Sequence, residues 1–198
     1  MPLQLPIIYA ITSGATTAQT TPGSPDFANV LLLVEAAVAA ELSLVQIREK
    51  ALTARVLYEL ATRAASITRG TRTRLLVNDR FDVARAAGAA GVHLTSTSLP
   101  THLVRDLCGE DFLIGVSTHS LEEARSASNA ADFVVFGPVF STGSKQPQGL
   151  EKLREVTSAL KGFPVLAIGG INDDNVAQCF EAGASGVAAI RLFNDLLK

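Results

Sequence analysis

The sequence predicts a single (β/α)8 barrel, and three observations predict it. Short apolar, β-branched runs alternate with alanine-rich helical stretches along the whole chain, the order expected of a parallel α/β sheet. Each strand-like run is continuous in apolar character rather than alternating, as strands covered on both faces must be. About eight such units follow one another, the number that closes a barrel. The 198 residues are few for a fold that typically takes roughly 250, so the barrel must be compact. Its last helix is truncated, because little more than Asn194–Lys198 follows the final strand.

The elements read in order as follows. Pro6–Thr12 is a first strand, followed by a Thr-, Gly- and Pro-rich loop, Thr16–Pro25, and a helix capped by Asp26 that runs to about Glu41. Leu42–Arg48 is the second strand and Thr53 to Thr68 the second helix. Arg74–Asn78 and Gly91–Leu94 are the third and fourth strands, with helical Phe81–Ala89 between them. Phe112–Ser117 is the fifth, and Ser120-Leu-Glu-Glu123 is a capping box for the helix after it. Asp132–Phe136 is the sixth, before a loop and a helix from about Leu150 to Leu160. Pro164–Ile168 and Gly186–Ile190 are the seventh and eighth. No linker or composition shift divides the chain, so residues 1–198 read as one catalytic domain.

Composition excludes several function classes. With 47% hydrophobic and 18% charged residues the chain can bury one sizeable core, and a formal net charge of −2 gives no footprint for nucleic acid or an anionic membrane. The longest apolar contender, Val30 to Ala40, is broken by Glu35 and falls short of the roughly 20 residues a spanning helix needs. Cys108 and Cys179 stand alone, without metal-ligand or disulfide spacing, as expected of core thiols in a reducing cytoplasm.

In a barrel of this kind the carboxyl ends of the strands face the ligand, and polar residues are dense there. Alternation along the second strand puts Gln46, Arg48 and Lys50 on one side and Val45, Ile47 and Glu49 on the other. Donors and cations on one edge suit a diphosphate, the alternative being a solvated strand exit. The third strand ends in Asn78-Asp79-Arg80. Asp79 beside a diphosphate site suits a magnesium ligand, or else it caps the next helix. His93 on the fourth strand reads first as a satisfied core histidine. The fifth strand ends in Ser117-Thr118-His119, and the sixth runs into Gly137–Lys145, a hydroxyl-rich loop holding Thr142 and Ser144 and closing on Lys145 as an anion clamp. After the seventh strand, Gly169 and Gly170 precede an Asn/Asp cluster and a helix start, which favours a phosphate.

Taken together these segments resemble the thiamin-phosphate synthase/TenI family. The Gln-x-Arg-x-Lys run is Gln46, Arg48 and Lys50; Asn-Asp is Asn78 and Asp79; Gly-Val-His-Leu is Gly91–Leu94; and Gly-x-Ser-x-His is Gly115, Ser117 and His119. The sixth-strand loop matches from Gly137 to Lys145, and Ala-Ile-Gly-Gly-Ile is Ala167–Ile171. The resemblance implies coupling of a pyrimidine methyl diphosphate to a thiazole phosphate. The mechanism that the resemblance implies is dissociative, with pyrophosphate leaving first and the thiazole nitrogen capturing the resulting cation. It also implies that Gln46, Arg48, Lys50, Asn78 and Lys145 hold the diphosphate and that Asp79 holds Mg2+. Gly169 and Gly170 would hold the thiazole phosphate, and Ser117 would contact the diphosphate or the cation.

The chain departs from the family pattern in three places. Ser98 stands where a second magnesium carboxylate is usual, Arg191 where a serine is, and Ser13 where an aspartate is. Ser98 should weaken the metal site, and Arg191 either adds a bidentate phosphate contact or fills the pocket. Two alternatives come with the resemblance: a metal-free TenI-like thiazole tautomerase using His119 as acid and base, and a non-catalytic phosphate-ligand binder. The intact Gln-x-Arg-x-Lys and Asn-Asp motifs favour the synthase.

Overall fold

The computed structural model describes residues 3–143 and 146–190. Eight parallel strands pair in sequence order and close into a barrel, β8 returning to β1. They are β1 (Ile7–Ile11), β2 (Leu44–Ile47), β3 (Arg74–Asn78), β4 (Gly91–Leu94), β5 (Leu113–Thr118), β6 (Phe133–Phe136), β7 (Val165–Ile168) and β8 (Gly186–Ala189). Between them lie α1 (Pro25–Ala39), α2 (Ala54–Thr68), α3 (Phe81–Ala87), α4 (Thr101–Cys108), α5 (Leu121–Ser128), α6 (Gly149–Ala159) and α7 (Val176–Glu181). The expected truncated last helix lies outside the described residues.

Two apolar layers explain the unbroken hydrophobic runs. Alternate positions such as Ile7, Tyr9, Leu44, Leu76, Phe133 and Leu166 fill the barrel interior. The positions between them, such as Val45, Ile47, Leu75 and Val77, meet the helices in the larger outer core. Both faces of every strand are therefore covered, which removes the polar half of the period-two pattern.

Local chemistry sets the helix starts. Thr53 Oγ1 accepts from the Val56 amide, and Ser120 Oγ accepts from the Glu123 amide at 3.1 Å. The capping box at Ser120 is skewed, because the Glu123 carboxylate returns to the His119 amide (2.6 Å). Asp26 is not the cap of α1. Ser24 occupies that position and Pro25 the first helical one, where a missing N–H costs nothing. The Asp26 carboxylate instead accepts from the Thr20 hydroxyl and the Phe27 amide, which together hold its pKa below the usual range, the hydroxyl most strongly.

Helix α4 has no counterpart in the sequence reading. It buries little beyond Val104, and its Leu103 and Leu107, like Leu99 just before it, are exposed. Arg105 docks it instead, donating to the carbonyls of Ala130, Gly109 and Phe112 and pairing with Asp132 at 2.8 Å. Asp132 also accepts from the Ile114 amide, so one carboxylate ties α4 to β5.

Candidate functional site

The carboxyl ends of the strands gather the polar residues on one rim. Gln46 is buried and faces inward, its amide nitrogen donating to Asn78 Oδ1 at 3.0 Å and its oxygen accepting from the Tyr9 hydroxyl at 3.1 Å. Arg48 follows on the same side, its amide donating to Thr12 Oγ1 (2.8 Å), and its charge is felt at His93. Lys50, Asn78 and Asp79 line one cavity of about 260 Å³ with Arg80, Thr95 and Thr97.

Glu49 lines the same cavity, and its carboxylate does something the sequence reading missed. It is 3% exposed, and its carboxylate accepts from the Gly14 amide, the Thr16 amide and the Thr16 hydroxyl. A buried carboxylate with three donors is satisfied without a cation. It fastens the β1–α1 loop over the end of β2, beside Arg48.

Asp79 is exposed and sits at φ +64°, in the left-handed region. It is not a helix cap: Arg80 occupies the cap position of α3 and spends its guanidinium on Asp82. Among the described residues no donor meets the Asp79 carboxylate, while its backbone N–H is fixed by the His93 carbonyl at 2.8 Å. A non-glycine residue held in that region is a costly conformation, found where the side chain's direction matters.

His93 faces the interior, 3% exposed, with Nδ1 3.2 Å from the Tyr9 oxygen and Nε2 2.8 Å from Ser117 Oγ. Burial, reinforced by the Arg48 charge, lowers its pKa to about 4. The unfolded chain, with a pKa near 6.5, then binds a proton that the native ring refuses, so acid favours unfolding between those two values. Stability present above pH 6.5 should drop by up to roughly 3 kcal/mol as pH falls through this window. Urea unfolding at neutral pH and near the lower limit checks it. The slope should flatten in His93→Asn, and an unchanged slope would refute the assignment.

The remaining candidates spread around the rim. Ser117 is half-buried and lines, with Ser98, a groove between α4 and α5 that shares Thr95 with the first cavity. Ser98 Oγ accepts from the Thr95 amide, which closes the turn after β4. His119 is exposed and turns Nδ1–H onto the Gly137 carbonyl (2.5 Å), pinning the root of the β6 loop. Thr142 is half-buried in that loop, whereas Ser144, Lys145 and Arg191 lie outside the described residues.

Gly169 and Gly170 carry positive φ angles, +99° and +65°. A Cβ on Gly169 would stand 2.4 Å from Pro138 Cβ, and one on Gly170 would stand 2.6 Å from the Ser141 carbonyl oxygen. The glycine pair therefore lets the β6 loop lie against the end of β7, joined by the bonds from Val139 N to Ile168 O and from Phe140 N to Gly169 O. Asn175 Nδ2 donates back to the Gly170 carbonyl, so the Asn/Asp cluster braces this turn. Any phosphate at Gly169 and Gly170 would meet a turn that the β6 loop has already shaped.

Fold and rim together define a (β/α)8 barrel that offers cations, amides, hydroxyls and the carboxylates of Glu49 and Asp79 at its strand ends. Comparison with known proteins narrows this class. The family model described as thiamine monophosphate synthase matches residues 16–193. The thiamine-phosphate synthase of Moorella thermoacetica is 42% identical over 165 residues, 81% of this chain and 78% of that protein. The thiamine-phosphate synthase of Alkaliphilus oremlandii is 38% identical over 161 residues, covering 79% and 77%. The solved thiamine phosphate pyrophosphorylase of Pyrococcus furiosus superposes with a TM-score of 0.77 at 33% identity, covering 93% of this chain and 85% of that one. The chain belongs to the thiamine monophosphate synthase (TMP-TENI) family. Among the described residues no helix is long and apolar enough to cross a membrane.

Proposed function

We propose that the protein is a thiamine-phosphate synthase acting on two small phosphorylated substrates. The bond between the pyrimidine methyl carbon and its diphosphate breaks, pyrophosphate leaves with the electron pair, and the lone pair of the thiazole nitrogen captures the methyl cation. The observation that carries this reading is the shared cavity of Lys50, Asn78 and Asp79 in a chain of this family. A dissociative step asks the protein to stabilise a departing polyanion and to hold the nucleophile still. Cations and amides at the ends of β2 and β3 are suited to the first task. In this reading Gln46, Arg48, Lys50, Asn78 and Lys145 grip the diphosphate. Thr142 and Ser144 close the β6 loop over it, and Gly169, Gly170 and Arg191 serve the thiazole phosphate. His119 orders the β6 loop through its bond to Gly137.

The donor set fits a magnesium ion of a particular kind. No group of three or more His, Cys, Asp or Glu side chains comes together among the described residues, so these residues offer no full cage. Magnesium, however, is commonly held by one or two carboxylates, with water and substrate phosphate supplying the rest. Asp79, exposed and without a donor on its carboxylate, fits that role. Ser98, committed to its turn, supplies no second charge. When bound, such an ion would neutralise charge on the leaving diphosphate.

Incubation with both precursors and magnesium should yield thiamin phosphate; isomerisation of the thiazole without coupling would defeat the reading. In the same assay Arg48→Ala should lower kcat/KM at least about tenfold, the loss of one charge-assisted contact, with an unchanged unfolding midpoint. Kinetics identical to wild type would reduce this edge to a solvated strand exit.

A further inference from the structure

A line of hydrogen bonds crosses the barrel interior beneath the rim, through inward positions of five consecutive strands. Asn78 Oδ1 takes the Gln46 amide proton, Gln46 Oε1 lies 3.1 Å from the Tyr9 oxygen, the Tyr9 oxygen lies 3.2 Å from His93 Nδ1, and His93 Nε2 lies 2.8 Å from Ser117 Oγ. The rings are fixed by packing. Tyr9 meets Phe133 edge-on at 5.7 Å and lies 5.7 Å from His93. Gly115 leaves the space they need, since a Cβ there would fall 2.3 Å from Phe133 Cζ and 3.0 Å from His93 Nδ1.

The line has a direction. Gln46 donates its amide hydrogen to Asn78, so its oxygen is turned to Tyr9 and takes the single phenolic proton. The Tyr9 oxygen can then only accept from His93, which puts the imidazole hydrogen on Nδ1. A neutral imidazole that donates at one nitrogen accepts at the other, so His93 Nε2 receives the Ser117 proton.

We infer that Tyr9 and His93 are positioning residues that commit the Ser117 proton inward, so that this hydroxyl meets the substrate as an acceptor only. The inference rests on the synthase reading and sharpens it. Phosphate oxygens need donors, and Ser117 has none left to give. Its free lone pairs suit the electron-poor pyrimidine and the methyl cation that forms as pyrophosphate leaves. Ser117 is therefore assigned to the cation, and the diphosphate to the β2 and β3 edge.

Two measurements test this. Long-range ¹H–¹⁵N spectra of the uniformly ¹⁵N-labelled protein should show His93 as the Nδ1–H tautomer; the Nε2–H tautomer would overturn the direction. Tyr9→Phe removes the acceptor at Nδ1 and should move the ring toward Nε2–H. In thiamin phosphate formation it should lower kcat about fivefold, the worth of one neutral hydrogen bond, with KM nearly unchanged. In a Ser117→Ala background the same change should cost less than about twofold, because residues acting through one group are not additive. Equal losses in both backgrounds would make Tyr9 merely structural and overturn the inference. If Tyr9→Phe fails to fold, the wild-type tautomer alone decides. A wild-type protein that makes no thiamin phosphate would sink the synthase reading instead, and the tautomer would still report the direction of the line.

Discussion

Asp79→Asn should lower thiamin phosphate formation by about 10²–10³-fold, the scale of losing a preorganised electrostatic contact to the leaving group, without destabilising the fold. The position makes this a clean experiment. Its backbone sits at φ +64°, a region that Asn tolerates as well as Asp, and the two side chains are nearly isosteric. No hydrogen bond to the Asp79 carboxylate exists to be lost among the described residues. The substitution therefore removes a charge and little else. Asp79→Ala would add a backbone penalty of about 1–2 kcal/mol and confound the two effects. A magnesium titration supplies the second reading. Asp79→Asn should raise the concentration needed for half-maximal rate, and Ser98→Asp should lower it by adding the missing carboxylate. Full wild-type activity in excess chelator would eliminate the metal-assisted reading.

The barrel was legible because its cause is local and repeated. Each strand-like run is largely apolar, and two of the seven described helices start on a side-chain cap, Thr53 and Ser120. Failures came where a long-range partner decides the outcome. Nothing in Thr101–Cys108 announces α4, because Arg105 docks it through carbonyls up to 25 residues away. The alternation placed Glu49 opposite Arg48 but could not show which loop it holds, since Gly14 and Thr16 lie 35 and 33 residues earlier. His93 read as a core histidine and is indeed buried, but its partners Tyr9 and Ser117 are 84 and 24 residues distant. The residue types for gripping an anion were visible at the strand ends. Their hydrogen-bond directions were not, because these come from barrel closure. For Asp79 the sequence left metal ligand and helix cap open, and the left-handed backbone with Arg80 at the cap removes the second.

Barrel closure itself rests on a position where a side chain has no room. Gly186 opens β8 in register with Ile7 of β1, and a Cβ there would fall 2.0 Å from the Ile7 carbonyl oxygen and 2.8 Å from the Ile7 carbonyl carbon. The obstacle is backbone, which cannot rotate away as a side chain tip can. Gly186→Ala must therefore force β8 away from β1, losing the ladder from Ile7 to Ala10 and opening the interior layer. An expected cost above about 4 kcal/mol puts it among the exceptional single substitutions, enough to consume much of the stability of an ordinary domain. The damage reaches the site, because Tyr9 pairs with Ala188 in the same ladder and carries the bonds to Gln46 and His93. Gly23→Ala is the control, since a Cβ there meets nothing within 4 Å and should change stability by less than about 0.5 kcal/mol. Thermal unfolding of both variants, followed by circular dichroism, checks the contrast. A Gly186→Ala protein that melts cooperatively at the wild-type temperature would show that β8 can move aside without opening the barrel.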